Sequence, residues 1–217
     1  MIEFQGQRLR DASHVVVFTG AGVSAESGIP AFRDAMTGLW ARFDPAALAT
    51  ADAFRNDPAL VWGRYEWRRS NVLAAKPNPA HLAIAELARL VTRLTVITQN
   101  VDDLHERAGC HGVIHLHGSL HSPRCFACAR PYEQGTSTLN EPEDGRRIEP
   151  PCCRHCNGKV RPGVVWFGES LPEQEWREAL TAVRGCDLLL SVGTSGGTAS
   201  GANSPGSQGT RRCSCAS

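Results

Sequence analysis

Residues 19–34 read TGAGVSAESGIPAFRD and come directly after the apolar run His14-Val15-Val16-Val17-Phe18. The run has no polar alternation, so it reads as a strand buried on both faces, the kind that belongs in a parallel sheet. The residues after it are small and glycine-rich. Gly20-Ala21-Gly22-Val23-Ser24 permits a tight exit from the strand and lets a phosphate come close to backbone N–H groups. The third glycine of the common dinucleotide fingerprint is missing, and no second strand ends in an acidic residue about 20 residues later. Alone, the stretch also fits a plain strand–helix turn.

Further along, the same grammar repeats. Residues 29–50 are broken by Pro30, Gly38 and Pro45 and read as loop with short helical turns. Residues 51–75 read as helix, with Leu60, Val61, Tyr65, Arg68 and Val72 near one face. PAHLAIAELARLV, residues 79–91, is an amphipathic helix opened by a proline. Residues 94–98 are a strand that ends in Gln99-Asn100-Val101-Asp102. A short helix, VDDLHERAG, comes next, and then an alternating strand from Val113 to His117. Val164-Val165-Trp166-Phe167 resumes the core, residues 172–184 form a helix, and the apolar strand Asp187 to Val192 ends in Gly193-Thr194-Ser195. Strand and helix alternate throughout, which predicts an α/β fold with a parallel sheet covered on both faces. Four polar segments fall just after strand C-termini: 20–24, 99–102, 117–119 and 193–195. Ligands of open α/β sheets bind along that edge, so these segments are expected to converge on one site.

The 217 residues are 41% hydrophobic and 21% charged, with a net charge of +1. Such a balance carries no electrostatic argument for nucleic acid or an anionic membrane as partner. No apolar stretch approaches the ~20 residues of a membrane span, and the N-terminus lacks a secretory apolar core. A cytoplasmic protein, expected to be monomeric, is the reading.

Nine cysteines, an odd number, argue against a disulfide framework. Five crowd into residues 122–162, a stretch of prolines and mixed charge that reads as an inserted module. Cys125-Phe-Ala-Cys128 and Cys153-Arg-His-Cys156 are two CxxC knuckles, and four thiolates suit structural zinc with no open position for chemistry. Cys152 or His155 could replace Cys153 as a ligand; Cys153 is preferred for the standard knuckle spacing. His117 lies at the carboxyl edge of its strand before Gly118-Ser119, where a general base is better placed than at the deeper His115.

Taken together, GAGVSAESGIPAFR at 20–33, TQNVDDLHERAG at 98–109, LHGSL at 116–120, the two CxxC pairs, RPGVVWFGE at 161–169 and GTS at 193–195 resemble the sirtuin family, in order from about residue 12 to 196. The resemblance implies an NAD-dependent protein-lysine deacylase. It implies a Rossmann-like domain from residues 1–121 and 163–196, with a zinc module at 122–162. Gly20, Ala21, Gly22, Ser24, Gly193, Thr194 and Ser195 would line the pyrophosphate. Ile29 and Asp102 would hold nicotinamide, Phe32 and Arg33 would cover the ribose, and Gln99 and Asn100 would order the ribose and a water. His117 would act as base on a ribose hydroxyl, while Asn100 would assist catalysis. Val164, Val165, Trp166 and Phe167 would pair with the substrate backbone as an added strand. Zn2+ would sit on Cys125, Cys128, Cys153 and Cys156. The implied products are free lysine, nicotinamide and acyl-ADP-ribose. Tyr65 and Arg68 in YEWR resemble the YxxR pair of the branch that removes succinyl and malonyl groups. A guanidinium and a phenol one helical spacing apart can bind a terminal carboxylate. Without the resemblance, Arg64, Arg68 and Arg69 read as the charges of an ordinary surface helix.

After Gly196 the chain departs from the family. GGTASGANSPGSQGTRRCSCAS, residues 196–217, has no periodicity and reads as disordered by composition. The apolar helix and last strand of the family are not recognisable there, so an uncovered sheet edge is expected. The alternatives are an inactive sirtuin-like fragment or binding module, and mono-ADP-ribosyl transfer with the same NAD cleavage.

Overall fold

The architecture grows from three apolar strands. A computed structural model describes residue 9, residues 11–29, 44–134 and 146–194, and the backbone of residues 214–216. β1 (His14–Thr19) is central, flanked in parallel by β2 (Arg93–Thr98) and β6 (Leu188–Val192). The two-residue strand β3 (Ile114–His115) adds to β2, and β7 (Ser214–Ala216) adds to β6, giving the order β3-β2-β1-β6-β7. Along β1, Val15, Val16 and Val17 are each 0% exposed. Val15 and Val17 pack on one face with Val96, Ile84 and Leu188. Val16 packs on the other with Ile97, Ala179 and Ala182. That is why the run has no polar alternation: the helices α5 (Pro79–Leu90) and α7 (Glu173–Gly185) cover opposite faces. Two four-residue helices, α1 (Gly22–Ala25) and α2 (Pro45–Leu48), come earlier in the chain, after β1.

The structure revises three boundaries. The strand expected from Val113 to His117 pairs with β2 only at Ile114 and His115. Residues 51–75 are two helices, α3 (Ala51–Asn56) and α4 (Pro58–Ala74), parted at Asp57. The Asp57 side chain accepts from the N–H of Leu60 at 3.0 Å, and Pro58 occupies the first helical turn, so a new N-terminus begins there. At the other end of the sheet, the expected uncovered edge on β6 is partly occupied. The backbone of β7 pairs in parallel with Leu188–Leu190. A ladder is made by backbone groups alone, so the composition of the tail held no signal of it. Residues 195–213 and 217 lie outside the described residues.

A third apolar cluster lies over the carboxyl edge. Phe54, Leu60, Val61, Tyr65 and Val72 of α3 and α4 pack with Leu120, Val164 and Trp166. α4 is therefore no surface helix: even Arg64 and Arg69 are buried, at 1% and 5% exposure. Its C-terminal carbonyls are held from outside. Arg107, in α6 (Leu104–Arg107), donates to the carbonyls of Ala75 at 2.8 Å and Val72 at 2.7 Å. The cysteine knuckles are joined by a second, two-stranded sheet of β4 (Arg124–Cys125) and β5 (Val160–Arg161). Among the described residues, no helix is long and apolar enough to cross a membrane.

The buried Asn78 ties α5 to the strand edge. Its Oδ1 accepts from the N–H groups of Ala80 at 2.9 Å and His81 at 3.3 Å, and its Nδ2 donates to the carbonyl of Val23 at 2.7 Å. Asn78→Ala is expected to cost about 2 kcal/mol, the loss of an N-cap plus an unsatisfied carbonyl. Urea denaturation would show it as a lowered midpoint with an unchanged slope.

Candidate functional site

Two glycine turns meet where β1 and β6 end. The N–H of Gly22, which opens α1, donates to the carbonyl of Gly193 at 2.8 Å. A Cβ on Gly22 would lie 2.8 Å from that carbonyl oxygen, and Gly193 has φ +63°, so neither position accepts a side chain without displacement. The small residues are thus required first by this contact between backbones. The same contact leaves a cradle without side chains at the mouth of a cavity of about 640 Å³.

That cavity brings the predicted segments together. Ala21, Gly22, Ser24, Ile29, Gln99, Asn100, Asp102, His117, Gly193 and Thr194 line it, and so do Tyr65, Arg68 and the segment 164–167. Gly20 is not on its wall; it lies just behind, its N–H donating to the carbonyl of Val192 at 3.3 Å. Phe32, Arg33 and Ser195 lie outside the described residues. Ala49, Val72, Val101, Leu120, Gly168, Glu169 and Leu171 also line the cavity without having been singled out. Most are apolar or small and look like ordinary core in the sequence; Val101, Leu120, Gly168 and Glu169 fall inside the quoted motifs, but nothing in the sequence marked them as wall.

Behind the wall runs a buried polar network. The Ser24 hydroxyl donates to Asp102 Oδ2 at 3.0 Å and accepts from Asn100 Nδ2 at 3.0 Å. Asp102 Oδ1 accepts from the N–H of Leu104 at 3.1 Å. His81 lies 3.5 Å behind Ser24 Oγ through Nε2, and its Nδ1 accepts from the N–H of Asn78 at 3.4 Å. His105 Nε2 lies 2.9 Å from Thr19 Oγ1, which donates to Thr98 Oγ1 at 2.8 Å, and Thr98 Oγ1 accepts the Asn100 N–H at 3.0 Å. The strand ends and the Asn100 loop are therefore held by one continuous set of hydrogen bonds.

The two histidines at the end of β3 are driven apart. His117 Nδ1 is 3.0 Å from the carbonyl of Gln99. A carbonyl only accepts, so Nδ1 carries the proton and Nε2 of the neutral ring is left basic. Burial lowers its pKa below the ordinary 6.5, against the opposing pull of the Gln99 carbonyl. His115 faces acceptors on both sides, the Asn100 carbonyl at 3.1 Å and Glu106 Oε1 at 2.7 Å. Burial disfavours its charge, but the Glu106 carboxylate outweighs burial and raises its pKa. His115 is thus engaged on both ring nitrogens, which leaves His117, with Nε2 unprotonated, as the histidine suited to take a proton.

The segment 164–167 is only partly available for strand addition. The N–H of Val165 donates to the carbonyl of His117 at 2.8 Å, that of Phe167 to Ala49 at 2.9 Å, and that of Trp166 to Glu169 Oε2 at 2.9 Å. An extended peptide would have to pair through carbonyls or beyond Phe167.

The cysteines converge as the spacing predicts. The sulfurs of Cys125, Cys128, Cys153 and Cys156 lie within 4.8 Å of one another. Cys152 is exposed, with its backbone bridged to Lys159, so Cys153 completes the set. Backbone N–H groups of Cys128 and His155 point at the sulfurs of Cys125 and Cys153, at 3.4 and 3.5 Å. Burial alone would raise the Cys125 thiol, but the N–H groups of Cys128 and Ala127 and the sulfur of Cys156 bring it to about 6. At Cys156 the Gly158 N–H pulls the thiol down, yet the sulfurs of Cys125 and Cys128 outweigh it and push it to about 12. Four thiolates this close need a cation between them, and the donor set suits zinc.

His105 gives a measurable pH signature. Burial, and next to it the facing His81, lower its pKa to about 4. Between pH 6.5 and 4 the unfolded chain takes up a proton that the folded one refuses. Its contribution to stability, about 3 kcal/mol, is complete above pH 6.5 and is lost progressively down to about pH 4. His105→Gln is expected to flatten that part of a stability–pH curve, as read by urea denaturation at stepped pH.

Comparison with known proteins points the same way as the geometry. The Sir2 family model matches residues 20–200. NAD-dependent protein deacylase 1 of Pseudomonas aeruginosa is 64% identical over 198 residues, covering 91% of this chain and 79% of that protein. The NAD-dependent protein deacylase of Methylococcus capsulatus is 62% identical over 187 residues, covering 86% and 73%. Among solved structures, a Sir2 homolog–NAD complex superposes with a TM-score of 0.79 at 46% identity, covering 88% of this chain and 72% of that one. A 2′-O-acetyl ADP ribose complex of a Sir2 homologue does so with a TM-score of 0.79, also at 46% identity, covering 89% and 75%. With a parallel sheet, a four-cysteine module and a family match over most of its length, this chain belongs to the Sir2 family.

Proposed function

We propose that this protein is an NAD-dependent protein-lysine deacylase that favours acyl groups ending in a carboxylate. The observation that carries the reading is the state of His117: Nδ1–H is spent on the Gln99 carbonyl, so a basic Nε2 is left on a ring that lines the same cavity as Ser24, Asn100 and Asp102. Residues 1–121 and 163–196 form its nucleotide-binding part, and 122–162 its zinc module. Free cysteines throughout the described residues fit a reducing, cytoplasmic setting.

NAD, when bound, supplies an ADP-ribosyl group whose bond to nicotinamide is the one broken. Gly22 and Gly193 line the cavity with backbone and no side chain, which fits the approach of a pyrophosphate. Asp102 is held by Ser24 and the Leu104 N–H with its carboxylate on the cavity wall, where it can accept from a carboxamide N–H. Asn100, with its Nδ2 fixed on Ser24 Oγ, presents its amide oxygen to orient a hydroxyl or water. His117 Nε2 takes the proton of a hydroxyl set against it. Cys125, Cys128, Cys153 and Cys156 would hold zinc with all four thiolates, a structural role that would tie β4 and β5 together and leave no part in the chemistry. Tyr65 and Arg68 line the same cavity and are the groups we assign to the acyl chain. Burial lowers the Arg68 pKa and raises that of Tyr65, so a partly desolvated cation and a neutral phenol are placed to meet an anion.

The test is nicotinamide release by zinc-loaded protein given NAD with succinyl-lysine or acetyl-lysine peptide. Faster succinyl turnover with one acyl-ADP-ribose per lysine freed is expected. Protein labelled with ADP-ribose in place of that product would point to transfer, and no release from folded protein would end the deacylase reading. Arg68→Met is expected to lower the succinyl-to-acetyl ratio of kcat/KM by about 30-fold or more; equal loss of both would sink the acidic-acyl preference. His117 must be neutral to act, so kcat/KM should hold down to about pH 6.5, the ordinary imidazole value, and fall only below it. An acid limb centred above pH 7 would contradict the role given to His117.

A further inference from the structure

Trp166 is 2% exposed, and its indole Nε1–H donates to the Tyr65 hydroxyl at 3.1 Å. An indole N–H can only donate. The phenol oxygen is therefore the acceptor of that bond, and the phenol hydrogen has to point elsewhere. Burial raises the phenol pKa, with Arg68 and Arg64 opposing, so the hydrogen is retained at neutral pH. Tyr65, Trp166 and Arg68 all stand on the wall of the same cavity.

The indole is itself fixed from its far side. The Arg161 guanidinium lies 3.5 Å from the centre of the indole, a cation–π contact at close range. Arg161 is 3% exposed, pairs with Glu169, and donates to the Val164 carbonyl at 2.9 Å. Glu169 Oε2 also accepts the backbone N–H of Trp166 at 2.9 Å. Ring face and backbone of Trp166 are thus set by one ion pair, and Arg161 belongs to β5, which pairs with the Cys125 strand.

We propose that Trp166 is a specificity-determining positioning residue, whose indole N–H occupies the Tyr65 oxygen and leaves the phenol O–H to donate to the terminal carboxylate of an acyl group. The proposal rests on the acidic-acyl reading of Tyr65 and Arg68. A carboxylate only accepts hydrogen bonds. A phenol free to rotate can turn a lone pair toward it and repel it; a phenol held by Trp166 presents its hydrogen. An acetyl group ends in a methyl and has no acceptor at that depth, so the device discriminates between the two.

Trp166→Phe keeps a ring under Arg161 and removes the N–H. The succinyl-to-acetyl ratio of kcat/KM is expected to fall about 10-fold, mainly through KM for the succinyl peptide. In a Tyr65→Phe background the same change should lower the ratio no further, because both substitutions remove one arrangement. Zinc content and the unfolding midpoint serve as controls. An unchanged ratio, or losses that add in the double variant, overturns the proposal. Arg68→Met separates the two levels: if it lowers both activities equally, the acidic-acyl reading itself fails, and if it is selective while Trp166→Phe is not, only the role of Trp166 fails. Should Trp166→Phe not fold, Tyr65→Phe reads the same hydrogen. A fall in its ratio is expected, and an unchanged ratio overturns the proposal.

Discussion

The N–H of Gly22 meets the carbonyl of Gly193 at 2.8 Å, and the carboxyl edge of the sheet is organised around that contact. It draws the turns after β1 and β6 together with no side chain between them. A parallel sheet places all its strand ends on one side, so the turns after β2 and β3 arrive at the same edge. The cradle, the Asn100 loop and the two histidines are neighbours for that reason. None of them is adjacent to another in the chain beyond its own short segment.

Charge at this edge is set by burial and hydrogen bonding acting together. His115 and His117 are two residues apart, yet a carboxylate and a carbonyl raise the pKa of one against burial, while burial disfavours charge on the other, whose Nδ1–H is spent on the Gln99 carbonyl. In the same cavity, burial lowers the pKa of Arg68 and raises that of Tyr65. Divergent environments for like groups separate the histidine proposed as proton acceptor from the one paired with Glu106.

Much of this was legible. Unalternating runs marked β1, β2 and β6; the CxxC spacing marked the knuckles; polar residues at strand ends marked the cavity. The break at Asp57-Pro58 was also written in the chain, as an N-cap with a proline after it, but helical periodicity on both sides masked it. What could not be read is long-range pairing of side chains. Trp166 and Tyr65 are 101 residues apart, and each looks like core on its own. The burial of Arg64 and Arg69 is equally silent, since arginines in a helix ordinarily face water. The ionisation of His115 depends on Glu106, whose approach is set by the fold of a loop.

Arg107 has a consequence for how selectivity can be transplanted. It grips the last carbonyls of α4 from the helix just after Asp102, and its guanidinium is paired with Asp103 at 2.9 Å. The helix bearing Tyr65 and Arg68 is thus pinned to the loop bearing Asp102. The proposed acyl preference is therefore not a cassette confined to residues 58–74. A graft of that helix onto another scaffold carries the phenol and the guanidinium but leaves behind the arginine that holds its end against the Asp102 loop.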